Sequence, residues 1–409
     1  MLLTVIKKIM GILSDRINRL SESATLEMAR KSRELKEQGI DVINLSIGEP
    51  DFDTPDDIKA AAHQAIDDNL THYTPVPGTI ELRRAIAKKL KEENNLNFAP
   101  DQIVVSNGAK QSIANALLCL VNPGDEVIVP SPYWVSYPEM VKLAEGEMVE
   151  IKAQIDQDFK VTAEQVEAVI TPKSKVFLFS SPCNPSGSVY THDELKALAE
   201  VFEKHPNIFI ISDEIYEYIN FNGSHESIAQ FEAIRDRVII INGVSKGYAM
   251  TGWRIGYMAA IPEIAKACSK LQGQITSGPS SISQQASVIA IEKMNAHSKD
   301  VMEMLNAFKE RRELVLGLLK EIPGVIPNEA NGAFYVFPNI SYYFGKSNGS
   351  ITIKNDEDLC LYLLDKAHIA CVAGGAFGND QCIRLSYATS SDLLKEALHR
   401  MKEALSKLK

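Results

Sequence analysis

The chain predicts an α/β fold with a parallel sheet, divided into one large and one smaller domain. Three observations point there. Short β-branched, apolar runs of buried-strand type alternate with helical patterns, which is how parallel sheets with crossover helices are written. The 409 residues, 45% of them apolar, can bury a large core and exceed what one compact domain usually holds. No internal repeat interrupts the pattern.

In chain order, Ile103-Val-Val105 reads as a strand and is followed by a helix opening near Ser106-Asn-Gly108-Ala-Lys110-Gln, with Ile113, Leu117, Leu118 and Val121 on one stripe. Glu126–Pro130, Lys175–Ser180, Asn207–Ser212, Arg237–Ile241 and Ile255–Ala260 are the clearest further strands. A helix over Asp193–Glu203 follows Thr191, whose partner Glu194 completes a capping box. A long helical pattern runs from about residue 283 through Arg312 to Leu319 and hands over to a second domain, which ends in a helix over Asp392–Leu408. Gly345-Lys-Ser-Asn-Gly-Ser350 reads as an exposed loop.

Composition excludes several function classes. A formal charge of −10 and the lack of any basic run disfavour nucleic acid. The six cysteines, at 119, 183, 268, 360, 371 and 382, form no CxxC pair, and no histidine cluster has zinc spacing, so no metal site is expected. They read as reduced, mostly buried thiols of a cytoplasmic protein. Lysines interrupt the apolar character of residues 1–13, where a signal peptide needs an unbroken apolar core. That stretch reads as an extension, with Met10 a candidate start. No segment reaches membrane-spanning length.

Ligands of open α/β sheets bind at the carboxyl ends of the strands. There the sequence places Ser181-Pro-Cys-Asn184-Pro-Ser-Gly187, then Ser212-Asp213-Glu-Ile-Tyr216, then Ser245-Lys246 with Arg254 eight residues on. Lys246 follows a buried strand and is flanked by Gly243, Gly247, Gly252 and Gly256, which permit a tight backbone near a bulky ligand. A lysine among apolar neighbours and near another cation has a depressed pKa and suits Schiff-base chemistry. A pyridine-ring cofactor needs an acid at its ring nitrogen, donors at its 3′ oxygen and an amine for its aldehyde. Asp213, then Asn184 and Tyr216, then Lys246 meet those needs. A phosphate fits the helix N-terminus at Gly108-Ala109, where Lys110 opposes the macrodipole unless an anion is close. Arg384, in Cys382-Ile-Arg-Leu-Ser386, alternates away from Ile383 and Leu385 and is a natural partner for a carboxylate.

Together these motifs resemble the class I pyridoxal-phosphate aminotransferases of fold type I, in the prokaryotic-type aspartate aminotransferase branch. The likeness covers nearly everything from Ser14 onward. It includes Gly48-Glu-Pro-Asp-Phe-Asp-Thr-Pro55, Tyr73-Thr-Pro-Val-Pro-Gly78, Asn107-Gly-Ala-Lys-Gln111, Ser131-Pro-Tyr-Trp134-Val-Ser-Tyr137 and Arg384-Leu-Ser-Tyr387 beside the runs above.

The resemblance implies a large domain with a mostly parallel seven-stranded sheet flanked by helices over 51–297. It also implies a smaller α/β domain over 298–409, against which residues 14–50 pack. Lys246 would be the Schiff-base amine and proton shuttle, Asp213 would hold the ring nitrogen protonated, and Trp134 would stack on the ring. Asn184 and Tyr216 would bond the 3′ oxygen. Arg254, Ser245 and the backbone at Gly108 and Ala109 would hold the phosphate, with Tyr73 reaching it from the other subunit of a homodimer. Arg384 and Gly48 would receive the substrate α-carboxylate, and Lys110 a second carboxylate. The implied reaction is ping-pong transfer of an amino group from aspartate to 2-oxoglutarate.

Two positions depart from the family pattern: Gly108-Ala109 stands where two glycines are usual, and Gly243 where other branches carry a phosphate-binding serine. Neither removes a charge. Rival readings are an aminotransferase for aromatic, kynurenine or prephenate substrates, a β-lyase, or a non-catalytic cofactor-binding module of a regulator. The last would need a DNA-binding segment, which is not found before Ser14. Gly374-Gly-Ala-Phe-Gly378 precedes a strand and not a helix, so it does not read as a nucleotide loop. Taken singly, Trp134 and Tyr137 read as core aromatics, Asp213 as a helix cap and Asn184-Pro as a turn.

Overall fold

A computed structural model describes residues 12–409. Most of the proposed N-terminal extension, and Met10 with it, lies outside the described residues. The dominant element is a seven-stranded sheet of β1 (Ile103–Ser106), β2 (Glu126–Ser131), β3 (Glu147–Lys152), β4 (Ser174–Ser180), β5 (Phe209–Asp213), β6 (Val238–Gly243) and β7 (Gly256–Ala259). Its order is β1-β7-β6-β5-β4-β2-β3. All neighbours are parallel except β7, which runs antiparallel to both β1 and β6.

Strand periodicity explains how both faces are covered. On β6, Ile239 and Ile241 join one apolar core while Val238 and Ile240 join the other. On β2, Val127 and Val129 separate from Ile128 in the same way. A sheet buried on both faces therefore needs near-continuous apolar strands, and that is what the sequence shows. The helix His192–Lys204 begins with the expected Thr191–Glu194 capping box.

A further apolar core joins both ends of the chain. Met28, Val42, Ile43 and Leu45 pack with Phe308, Phe334, Leu363, Leu385 and Leu398. Ile43–Asn44 pairs in parallel with Ile369–Ala370, and Ile383–Ser386 lies between Val372–Ala373 and Tyr335–Val336. Tyr216 and Ile219, which follow β5, also belong to this core, so it abuts the carboxyl end of the large sheet.

Three local expectations are corrected. The helical pattern from 283 to 319 is two helices, Ser281–Lys293 and Lys299–Lys320. Between them the Asn295 side chain accepts from the His297 amide at 2.9 Å, and the Ser298 hydroxyl accepts from the Asn295 amide at 2.8 Å. These local bonds compete with helix continuation. The helix Ala109–Leu120 ends before Val121, and Leu118 stands at the surface and not on the buried stripe. In the 345–350 loop Gly345, Gly349 and Ser350 are exposed, while Lys346, Ser347 and Asn348 are half-buried.

Candidate active site

At the carboxyl ends of β4, β5 and β6 lies a cavity of about 270 Å³. Asp213 is the last residue of β5, and β6 ends three residues before Lys246. The two strands are paired with Asp213 opposite Ile241, so sheet geometry sets the offset between acid and amine. Asn184, Tyr216, Ser245, Lys246 and Asp213 line the cavity from this side. Ala109, Lys110 and Arg254 line it at the helix N-terminus, Trp134 lies on another wall, and Gly48 and Arg384 come from segments whose Leu45, Ile383 and Leu385 belong to the core joining both chain ends.

Lys246 is half-buried and its amine donates to the Gly48 carbonyl. Burial lowers its pKa to about 8, with Arg384 and Arg254 pushing the same way and Glu49 opposing. A tenth or so of such an amine is neutral at pH 7, far more than for an exposed lysine. Asp213 is raised to about 6 by burial, against the pull of the Tyr137 hydroxyl and the Ile215 amide. Tyr137 donates to Asp213 Oδ2 at 2.8 Å, and the Ile215 amide donates to Oδ1 at 3.3 Å. A buried acid poised in this way is held for a cationic partner.

Arg384 is 2% exposed. It donates to Asn184 Oδ1 at 2.9 Å and to the Ser46 carbonyl, while its Nε has no partner. The Lys110 amine lies 4.9 Å from the Trp134 ring centre, and burial, then Arg254, lowers its pKa.

The anion seat is shaped by close backbone approach. A Cβ on Gly256 would come 2.1 Å from the Ala109 amide nitrogen, so only glycine lets β7 pack behind that amide. A Cβ on Gly108, where φ is +84°, would press on the Arg254 guanidinium. Arg254 itself is left-handed, with φ 57°, and donates to the Thr251 and Asn107 carbonyls.

Pyridoxal phosphate fits this donor set. The cup of amides beside Arg254 suits its phosphate, Asp213 its ring nitrogen, and the Lys246 amine its aldehyde. Ser180 Oγ and Arg384 Nε, both lining the cavity and buried without partners, leave polar capacity for a ligand.

Two expected site residues are not on the cavity wall: Gly108, which adjoins Ala109 and Arg254 there, and Tyr73, which is fully exposed and away from the cavity of its own chain. Several residues that line the cavity were not expected there. Tyr137 belongs to the Ser131–Tyr137 motif but carries no role of its own in it. Ser23, Thr25 and Leu26, at the start of the helix Ala24–Glu37, and Tyr335 had no motif to mark them. Thr25 Oγ1 is buried without a partner.

The fold and cavity define a protein with a built seat for a phosphorylated pyridine beside a reactive lysine. Residues 40–401 match the family model for aminotransferase class I and II. The chain is 47% identical over 399 residues to a bifunctional aspartate aminotransferase and glutamate/aspartate-prephenate aminotransferase of Petunia hybrida, covering 97% of this chain and 83% of that one. It is 47% identical to an aspartate/prephenate aminotransferase of Cereibacter sphaeroides, covering 96% and 98%. The crystal structure of an aspartate aminotransferase from Rhizobium meliloti superposes with a TM-score of 0.93 at 42% identity, covering 97% and 99%. An aspartate aminotransferase from Thermus thermophilus, solved with maleate, superposes with a TM-score of 0.90 at 38% identity, covering 96% and 99%. The chain belongs to the class I and II aminotransferases, a family that uses pyridoxal phosphate, and it is a transaminase. Among the described residues no helix is long and apolar enough to cross a membrane.

Proposed function

We propose that the chain is an aspartate aminotransferase that moves the amino group of L-aspartate to 2-oxoglutarate, giving oxaloacetate and L-glutamate by a ping-pong route. The observation that carries this is the presence of two cationic side chains, Arg384 and Lys110, in the same cavity as the Lys246 amine. A four-carbon diacid with an α-amino group offers one carboxylate to each. Aspartate aminotransferase relatives, one of them solved with the diacid maleate, support the choice.

Bound pyridoxal phosphate supplies an aldehyde for the Lys246 amine and a ring that withdraws electrons from the substrate α-carbon. Asp213 would pair with the ring nitrogen, and Asn184, whose oxygen is engaged by Arg384, would bond the 3′ oxygen together with Tyr216. Arg384 and the Gly48 backbone hold the α-carboxylate. With a pKa near 8, Lys246 is suited to take the proton from the substrate α-carbon and return it elsewhere at neutral pH.

The reading takes 51–297 as the cofactor-binding body and 14–50 with 298–409 as the body carrying Arg384, which the separate apolar core supports. It also takes the enzyme as a cytoplasmic homodimer in which Tyr73 serves the neighbouring site, a role that suits its full exposure in one chain. A second reading, with prephenate as amino acceptor, is favoured by the names of relatives at 47% identity.

Single half-reactions followed by cofactor absorbance test the assignment, using aspartate, phenylalanine and kynurenine in turn. Fast conversion with aspartate is expected, lost on Lys110→Ala and retained on Lys110→Arg. Conversion only by the aromatic donors would leave the transaminase and remove aspartate.

A further inference from the structure

Tyr335 lies in the run Gly332-Ala-Phe-Tyr-Val-Phe337, which by sequence is ordinary core. Its ring is fully buried, yet its hydroxyl lies 2.8 Å from that of Tyr216, 119 residues away. Its ring face carries the Arg384 guanidinium at 4.6 Å from the centroid. Its hydroxyl also packs so tightly on Gly48 that a Cβ there would sit 2.5 Å from it. One side chain therefore touches the donor for the cofactor 3′ oxygen, the α-carboxylate clamp, and the segment whose carbonyl receives the Lys246 amine.

We infer that Tyr335 is a positioning residue with two separable jobs: its hydroxyl fixes Tyr216 as a donor toward the cofactor 3′ oxygen, and its ring orients Arg384 for the substrate carboxylate. The inference rests on the cofactor reading above and adds a residue to it.

The direction of the hydrogen bond follows from counting protons. Tyr216 has one O–H. If that proton goes to the 3′ oxygen, the Tyr216 oxygen is left as an acceptor, and the Tyr335 hydroxyl 2.8 Å away supplies the donor. A donor behind a donor strengthens the bond in front of it. A stronger bond to an anionic oxygen favours the deprotonated form of the group that shares charge with it. Removing the Tyr335 hydroxyl should therefore raise the pH at which the Lys246–cofactor linkage loses its proton. The ring's job is different, because an arginine face over an aromatic is attracted and held flat whether or not the hydroxyl is present.

The test uses purified holoenzyme with Tyr335→Phe, Tyr335→Leu, Tyr216→Phe and the Tyr216→Phe/Tyr335→Phe double variant. Two readouts are taken: the pH midpoint of the visible absorbance without substrate, and kcat and KM for aspartate. Tyr335→Phe keeps the buried ring and should raise the midpoint by roughly 0.3–1 unit, about the worth of one hydrogen bond, with KM within about twofold of the unsubstituted enzyme. The same change in the Tyr216→Phe background should leave the midpoint where it is. Tyr335→Leu should raise KM by roughly five- to twentyfold in addition. An unchanged midpoint in Tyr335→Phe, or an equal shift with and without the Tyr216 hydroxyl, overturns the first job. An unchanged KM in Tyr335→Leu overturns the second. An unsubstituted chain that takes up no cofactor would instead defeat the underlying functional reading, so the two failures are told apart.

Discussion

Tyr137→Phe removes one atom from the site, and the consequence can be worked through from the geometry. The Tyr137 hydroxyl donates to Asp213 Oδ2 at 2.8 Å, while Oδ1 keeps the Ile215 amide at 3.3 Å. Phenylalanine retains the ring, whose edge-on packing against Trp134 at 5.6 Å is unaffected. A hydrogen bond to a buried carboxylate contributes about 1.5–3 kcal/mol, and 1.36 kcal/mol is one pKa unit, so the Asp213 pKa should rise by roughly one to two units. Starting from about 6, it would reach roughly 7–8.

The sign for affinity follows. A cationic ring nitrogen is favoured by ionised Asp213, so cofactor binding weakens as pH falls through the Asp213 pKa, and that acid limb should move upward in the variant. For the apoprotein the sign is opposite: a raised carboxyl pKa contributes stability that is present below the ordinary carboxylate range and lost as pH rises through about 6. The assay is pyridoxal phosphate affinity of the apoprotein from pH 5 to 9, read by absorbance. An acid limb that stays in place, or an equal loss of affinity at every pH, would refute the reasoning.

Two further substitutions probe different parts of the molecule. Gly256→Ala places a methyl 2.1 Å from the Ala109 amide nitrogen, against backbone; pyridoxal phosphate affinity should fall by roughly tenfold or more in an equilibrium titration, and stability should fall by about 1–3 kcal/mol in denaturant unfolding. Lys89→Met removes the cation from a buried pair with Glu217, in which Lys89 is 4% and Glu217 8% exposed; the stranded carboxylate should cost about 3–5 kcal/mol in denaturant unfolding, and Lys89→Met/Glu217→Leu should recover most of it.

Asp213 and Lys246, the proposed acid and amine, were legible because they stand at or just after strand ends, where a polar residue after a β-branched run has few structural reasons to exist. Asp213 after Phe209–Ser212 and Lys246 after Val238–Gly243 are of that kind. Tyr335 was hidden for the opposite reason. An aromatic inside an apolar run is the ordinary way to fill a core, and only tertiary packing brings its hydroxyl to Tyr216. Tyr137 stood within a quoted motif, yet its donor role depends on a partner 76 residues away. Thr25 lies outside every motif and reaches the cavity because the helix Ala24–Glu37 starts there. The helix break at 294–298 holds no glycine or proline to mark it, and the Asn295 and Ser298 bonds that interrupt the helix act within three residues.

Arg384 is already engaged before any carboxylate arrives: one terminal nitrogen is given to Asn184 and the other to Ser46, with Nε left over. A guanidinium has five N–H donors, so two given away leave three, and an incoming carboxylate meets an arginine already fixed in place by Asn184 and Ser46. Little side-chain freedom is left to lose when each acid binds. A site that admits one acid after another therefore keeps its clamp aimed between visits.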